Sequence, residues 1–504
     1  MSYSSKRFSK AKKACTAAIT LSLLLSACGS ATDSGSGDTT KTADATQPLK
    51  LKIMSSLWTD VPEMNNQFWT EVQKRTNTKL DVDWIPNTDY SSKLDLVLAS
   101  GDLPEVMVAT SEKYLPLVNA IKQGLFWDLT PYLTNLDKYP NLKKNVPASA
   151  WNYLKVNDKL YYLPRTRALV DQAPKYRKDW FDKLGIPEPT TVDELRTALK
   201  KVVSSDPDGN GKDDTIGIEF NDTYGGAFGM FDPAYNSEGG LINFQLNPAY
   251  TDMVEWYRGL YADGSMSKEF SVIKNVEEIF KTGRSATYMR NIYHDWTYEQ
   301  ELKKKETGAK VESIPALKGP KGYAVNITEG YNGAILISKK VPEDKMLRIL
   351  DFFNQTAGDE LSDLFYNGIK GVHYNEENGV LKPTDLGTKE VNISVRQFIV
   401  LNPNRWEKVV NPAATKEWND AKIKKFEIQE KIGKERYYQS LVSDTWSKVW
   451  PKYTQEWESM RVKAIIGQIS MDEYKKYVDK LNESADFKKA YQEFTTDYKR
   501  IFKK

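Results

Sequence analysis

From Leu49 the chain alternates apolar and polar side chains in LKLKIMSSLW, the period of a strand with one buried face, and then breaks in a polar turn. PEMNNQFWTEVQKRTN follows, with Phe68, Trp69 and Val72 at helical spacing. KLDVDWIP alternates again, and YSSKLDLVLASGDLPEVMVA reads as a helix, a Gly-Asp turn and a third strand. Strands alternating with helices of this length predict an α/β layer on a parallel sheet. The pattern is strand-like once more at DKLYYLPRTRALV. A second α/β unit starts at YRKDWFDKLGIPEPTTVDELRTALKKVV, where Thr191 is expected to cap a helix with Glu194 at its third position. EGYNGAILISKKVPEDKMLRILDFFNQ gives a buried strand, a turn and an amphipathic helix. From about Trp418 the chain is helical, charged and rich in Trp and Tyr. No solenoid repeat and no long linker divide this body, which fits lobes joined by several strands.

The segment before Leu49 does not share these periods. Residues 1–27 hold Lys6, Arg7, Lys10, Lys12 and Lys13, no acid, and an apolar run from Ala14 to Ala27 that is too short to span a bilayer. The run ends in Leu25-Ser26-Ala27-Cys28-Gly29, which is similar to a bacterial lipobox, so Cys28 is expected to be acylated after cleavage. Two or three acyl chains hold a protein on a membrane where one binds only marginally. Residues 28–48 carry no large apolar side chain after the cysteine and read as a flexible tether. The chain is thus expected outside a Gram-positive-like cell, fixed to the membrane.

Composition narrows the chemistry. The net charge of +3 comes from the leader; without it, 66 basic and 68 acidic residues remain, which argues against a nucleic-acid binder. Both cysteines, Cys15 and Cys28, lie in the N-terminal segment, so the body has no disulfide, thiolate metal site or cysteine nucleophile. The chain's 13 Trp and 28 Tyr exceed the usual needs of a core and leave two readings open, an aromatic core or a stacking surface.

DPDGNGKDD, residues 206–214, matches the front of a calcium loop. Asp206, Asp208, Asn210 and Asp214 fall at positions 1, 3, 5 and 9, Lys212 offers its carbonyl at position 7, and Gly211 permits the turn at position 6. Position 12, a bidentate Glu in an EF-hand, is Gly217, so the expected ion is structural, with Asp213 or Glu219 as substitute ligands. An Asx-rich turn without metal is the other reading of these residues.

Taken in order, ASGDLPEVMV, NDKLYYLPR, YRKDWFDKLGIPEPTTVDEL, DPDGNGKDD, NGIKGVHYNEENG and IIGQISMDEYKKYVDKLN resemble segments of the family 1 extracellular solute-binding proteins of ABC importers. The similarity is greatest to the large alginate- and oligosaccharide-binding lipoproteins. It implies a two-lobe α/β clamp of the periplasmic-binding-protein type II class. Residues 49–165 and 331–375 would form the first lobe, and 166–330 with 376–504 the second. It further implies hinge closure on an oligosaccharide and delivery by a monomer to a permease.

A sugar presents an apolar C–H face and a rim of hydroxyls, so its site needs aromatic platforms and planar polar groups. Where strands end near the implied cleft, the candidates are Trp58, Arg165, Arg167, Tyr224, Arg290, Tyr293, Trp296, Tyr331, Asn332 and Trp406. Several arginines in one cleft would suit an acidic sugar through bidentate pairing. A surface glycosidase or lyase is the first rival, since carboxylate pairs are abundant. However, His294 and His373 are the only histidines and no GxSxG occurs, which excludes a multi-histidine zinc site and a nucleophile elbow. A calcium-stabilised adhesin is the second rival, and peptide cargo remains compatible with the importer reading.

Overall fold

The computed structural model describes residues 47–502 apart from 113, 171, 274, 404–410 and 412. Cys28, the leader, the tether up to residue 46 and Trp406 lie outside the described residues. Eight strands form the two main sheets: β1 (Leu49–Leu57), β2 (Thr78–Pro86), β3 (Val106–Ala109), β4 (Tyr162–Thr166), β5 (Ala173–Arg177), β6 (Thr287–Arg290), β7 (Val311–Ser313) and β8 (Tyr331–Ile337).

The first sheet runs β2-β1-β3-β8-β4. β1 pairs in parallel with β2 along its whole length and with β3 at Ile53 and Met54. β8 returns antiparallel between β3 and β4. Helix Gln67–Thr76 covers this sheet with Phe68, Trp69 and Val72, all fully buried, and the Asn66 side chain caps it by accepting from Trp69 N at 2.8 Å. The three expected apolar positions are the ones that pack. Val395, Phe398, Ile399, Val400 and Leu401 join the same core, and Phe398 stacks on Trp69 at 5.9 Å between centroids. These residues fall in the stretch 376–504 assigned by resemblance to the second lobe, but they pack with the first.

A second core gathers around helices Val192–Val203 and Pro248–Ala262 and the C-terminal helices Thr454–Ile465, Met471–Asn482 and Ala485–Phe502. Its sheet, β6-β5-β7, is antiparallel. Parallel pairing in this part is limited, among the described residues, to a two-residue ladder of Asn326–Ile327 with Lys434–Glu435 and to single bridges from Thr191 to Lys318, Ile216 to Ser285 and Ile218 to Met266. The expected capping box on Val192–Val203 is present, with Thr191 Oγ1 accepting from Glu194 N at 3.1 Å and the Glu194 carboxylate accepting from Thr191 N.

Two crossover segments link the cores side by side. Arg167 N donates to Gly330 O at 2.8 Å, Thr328 N to Leu169 O at 2.6 Å, and Val170 bridges to Ile327. No described helix is long and apolar enough to cross a membrane.

Candidate functional site

Strand polarity defines the site. In open α/β sheets, ligands meet the carboxyl ends of parallel strands. β1, β3 and β4 end at Leu57, Ala109 and Thr166, and β8 starts beside Thr166 at Tyr331. On the other core, β6 ends at Arg290, which pairs with Ala173, the first residue of β5 after the crossover. The two edges therefore meet the same pair of crossovers from opposite sides.

On the first edge Trp58 is 56% exposed, and the backbone behind it is fixed, with Trp58 N and Thr59 N donating to Ser394 Oγ at 3.0 and 3.2 Å. Tyr331 OH donates to Glu112 Oε1 at 3.0 Å, and burial together with that carboxylate pushes the phenol pKa upward. Asn332 is exposed at the irregularity between Tyr331 and Ala334. Arg165 is buried and donates through Nη2 to Gln397 Oε1. Room for it depends on Gly333, at φ 78°, where an added Cβ would stand 2.9 Å from Arg165 Nη1 and 2.6 Å from Ala109 O. Arg167 is half-buried and its Nη1 donates to Thr166 O at 2.8 Å.

On the second edge Arg290 is half-buried and forms no ion pair among the described residues; its Nε is buried without a hydrogen bond. Tyr293 lies 4.4 Å from the His294 ring, and burial, reinforced by Lys175 and Arg290, pushes that imidazole down to about 4, so it is neutral at pH 7. Trp296 meets Trp418 edge to face at 5.6 Å. An internal ion network positions this pair. Lys175 Nζ donates to Asp295 Oδ1 at 2.5 Å, and Lys422 Nζ donates to Asp295 Oδ2 at 2.8 Å and to Glu312. Ser313 Oγ donates to the same aspartate at 2.8 Å. Burial alone would raise the Asp295 carboxyl, but the two lysines outweigh it and hold it below its ordinary value. Lys422 lies one helical turn from Trp418, with Nζ 5.0 Å from its ring centre.

Tyr224 is not on either edge. It is fully buried in the short helix Asp222–Phe228, against Trp256 at 5.3 Å. The neighbouring glycines serve packing, since a Cβ on Gly225 would stand 2.6 Å from Met230 and one on Gly226 2.3 Å from Phe231. Sequence reasoning also passed over Trp418, Phe220, Asp222 and Arg461. Trp418 and Arg461 sit in charged helices without a local motif, and Phe220 ends a bridge-forming stretch too short to show a period.

The loop 206–214 is closed by its own hydrogen bonds. Asp206 Oδ2 accepts from Gly211 N at 3.0 Å, and Asn210 Nδ2 donates to Asp208 Oδ2 at 2.8 Å and Asp214 Oδ1 at 3.0 Å. Burial and the neighbouring carboxylates of Asp206 and Asp214 push Asp208 up, the response of crowded acids, although Arg284 Nε lies 3.8 Å from Asp214 Oδ2. The oxygen donor types suit calcium, but Asn210 turns its nitrogen toward Asp208 and Asp214. Among the described residues no group of three or more His, Cys, Asp or Glu is arranged to hold a metal. Glu219 is not a substitute ligand, because it is buried and its Oε1 accepts from Met289 N at 2.6 Å. At position 12 a Cβ on Gly217 would stand 2.6 Å from Ser265 O, so the backbone contact excludes the glutamate of an EF-hand.

Residues 55–360 match the model of the bacterial extracellular solute-binding proteins. The chain is 29% identical over 469 residues to the polygalacturonan/rhamnogalacturonan-binding protein YtcQ of Bacillus subtilis, covering 90% of this chain and 92% of that one. It is 28% identical over 449 residues to the lipoprotein LipO of the same organism, covering 83% and 86%. Its fold is similar to that of the alginate-binding protein AlgQ2, solved without calcium ion, with a TM-score of 0.60 at 18% identity over 92% of this chain and 100% of that one.

Proposed function

Because the chain belongs to the bacterial extracellular solute-binding proteins, we propose that it is the membrane-anchored receptor of an ABC importer, capturing an oligosaccharide between two lobes and releasing it unchanged to a permease. The observation that carries this reading is the pair of crossovers at Arg167–Leu169 and Thr328–Gly330, which joins two separately packed cores at their ligand-facing strand ends. Two adjacent strands that bend together give a rotation axis, and rotation brings the edges onto a ligand. In this reading the first lobe keeps residues 395–401, in accord with their packing.

Trp58 and the Trp296–Trp418 pair would cover C–H faces of the sugar, Tyr293 and Tyr331 would add platforms, and Arg165, Arg167, Arg290 and Asn332 would meet its polar rim. Support for a glycan cargo comes from these paired edges and from the similarity to YtcQ, a polygalacturonan/rhamnogalacturonan-binding protein. Acylated Cys28 would hold the monomer on the outer face, as expected from the lipobox and the named lipoprotein relative. The loop Asp206–Asp214 would take one structural calcium through Asp206, Asp208, Asn210, Asp214 and the Lys212 carbonyl.

A thermal-shift panel of plant, algal and host glycan fragments tests the cargo, with solution scattering on any ligand that raises the melting temperature. Compaction on binding is expected; a shift with peptides but not glycans would overturn the substrate class, and turnover of the ligand would overturn the receptor role. Chelation is expected to lower the melting temperature, and no binding of calcium by calorimetry would sink the metal assignment.

A further inference from the structure

The stretch Ile216–Phe220 bridges in parallel to Ser285, at the base of β6, so Phe220 ends near the level of Arg290. Thr223 Oγ1 ties the next turn to the crossover by donating to Gln172 Oε1 at 3.0 Å. Beside this stretch lies a cavity of about 220 Å³, lined by Glu219, Phe220, Phe270, Ser271, Ile273 and Arg461 among others. Arg461 is held rigidly. Its guanidinium lies over the rings of Phe220 and Trp457, at 4.6 and 5.0 Å, and Nη1 donates to Tyr250 OH at 2.9 Å. It forms no ion pair among the described residues, and neither Nε nor Nη2 has a hydrogen-bond partner there. Asp222, the acid that most affects it, is engaged through Tyr250, whose hydroxyl donates to Asp222 Oδ1 at 3.0 Å.

A buried guanidinium N–H with no acceptor, here Nε, is costly unless a ligand supplies one. We propose that this cavity is a recessed subsite of the second lobe, in which Arg461 receives the carboxylate of a single uronic acid unit of the bound oligosaccharide. The size fits one ring and not a chain, being smaller than the 300 Å³ or so from which pockets enclose a drug-sized ligand. The rings of Phe220 and Phe270 offer an apolar wall to the C–H face, and the Ser271 hydroxyl offers a polar rim. Glu219 is the other charged lining residue. Burial pushes its carboxyl up to about 7, which reduces the negative charge it presents to an acidic guest. A planar carboxylate matches the side-on fork of Nε and Nη2, which a neutral hydroxyl cannot fill bidentately.

This inference rests on the oligosaccharide reading, and the test separates the two. Calorimetry on the mature protein uses galacturonate, guluronate and glucuronate trimers beside their neutral counterparts. At least one acidic trimer is expected to bind about 30-fold or more tighter than its neutral counterpart, an advantage typical of a charge-assisted bidentate pair. Arg461→Gln is expected to abolish that advantage, bringing the acidic trimer down to the affinity of its neutral counterpart. Ser271→Trp, which fills the cavity from an exposed loop and spares Arg461, is expected to remove the acidic preference as well, and serves if Arg461→Gln does not fold. Equal affinity for acidic and neutral trimers, or an acidic preference that survives both substitutions, overturns the subsite and leaves the receptor reading standing. Failure of every glycan to bind overturns the reading beneath it.

Discussion

The two cores solve the same packing problem with different materials. The first fills its central strands with aliphatic side chains; all four residues of β3 are buried, and so are the last five of β8. The second puts charge into its central strand, where Lys175 and Arg177 in β5 are fully buried. Arg177 is held by Asp179 at 2.7 Å and by Glu306, and its guanidinium lies over Trp180 at 4.1 Å. Lys175 is held by Asp295. Aliphatic packing tolerates exchanges that conserve volume, whereas a buried ion pair needs its own charged partners in place. The second edge, with Trp296, Trp418 and Arg290, is therefore held on a more sharply specified frame than the first.

The contrast predicts an order of effects. Asp295→Ala leaves Lys175 and Lys422 without their shared acceptor, and a loss of about 3–5 kcal/mol is expected. Hydrogen exchange resolved along the chain should show it confined to the second core; equal deprotection of β1 and β3 would break the comparison. Leu336→Ala, at a fully buried position near the end of β8, is expected to cost about 2–4 kcal/mol through cavity formation and to deprotect the first core instead. Next comes Glu219→Gln. Between pH 4.5 and about 7 the folded state keeps a proton on Glu219 that the unfolded state releases, so this group makes stability fall as pH rises. The substitution is expected to recover up to about 3 kcal/mol at pH 8 and nothing at pH 4, read by denaturant titration at both. An equal gain at the two pH values would show that the effect is not protonation. Smallest is Thr191→Ala, which removes the capping oxygen of Val192–Val203 at a cost of about 1 kcal/mol in thermal melts.

Local features were legible in the sequence because a few neighbouring residues determine them. The buried stripe Phe68, Trp69 and Val72 follows from helical spacing, and the cap at Thr191 from a residue three positions on. What was not legible depends on distant partners. That Phe398 lies on Trp69, across more than three hundred residues, has no signature in either segment. The antiparallel order of β5, β6 and β7 is likewise set by tertiary pairing, with over a hundred residues between β5 and β6. The candidate site divides in the same way. Trp58 and Arg290 could be placed from strand ends. Tyr224 was misread, because a Gly-rich turn looks alike whether it admits a ligand or a neighbouring side chain. Arg461 reaches Phe220 only through the packing of a C-terminal helix, and nothing around it in the chain marks it out.

The contact between residue 217 and the Ser265 carbonyl also constrains the history open to this chain. A glutamate there would need the facing backbone to shift at the same time, so no single replacement leads from this loop to a signalling EF-hand. The loop is thus closed to stepwise conversion by a neighbour outside it.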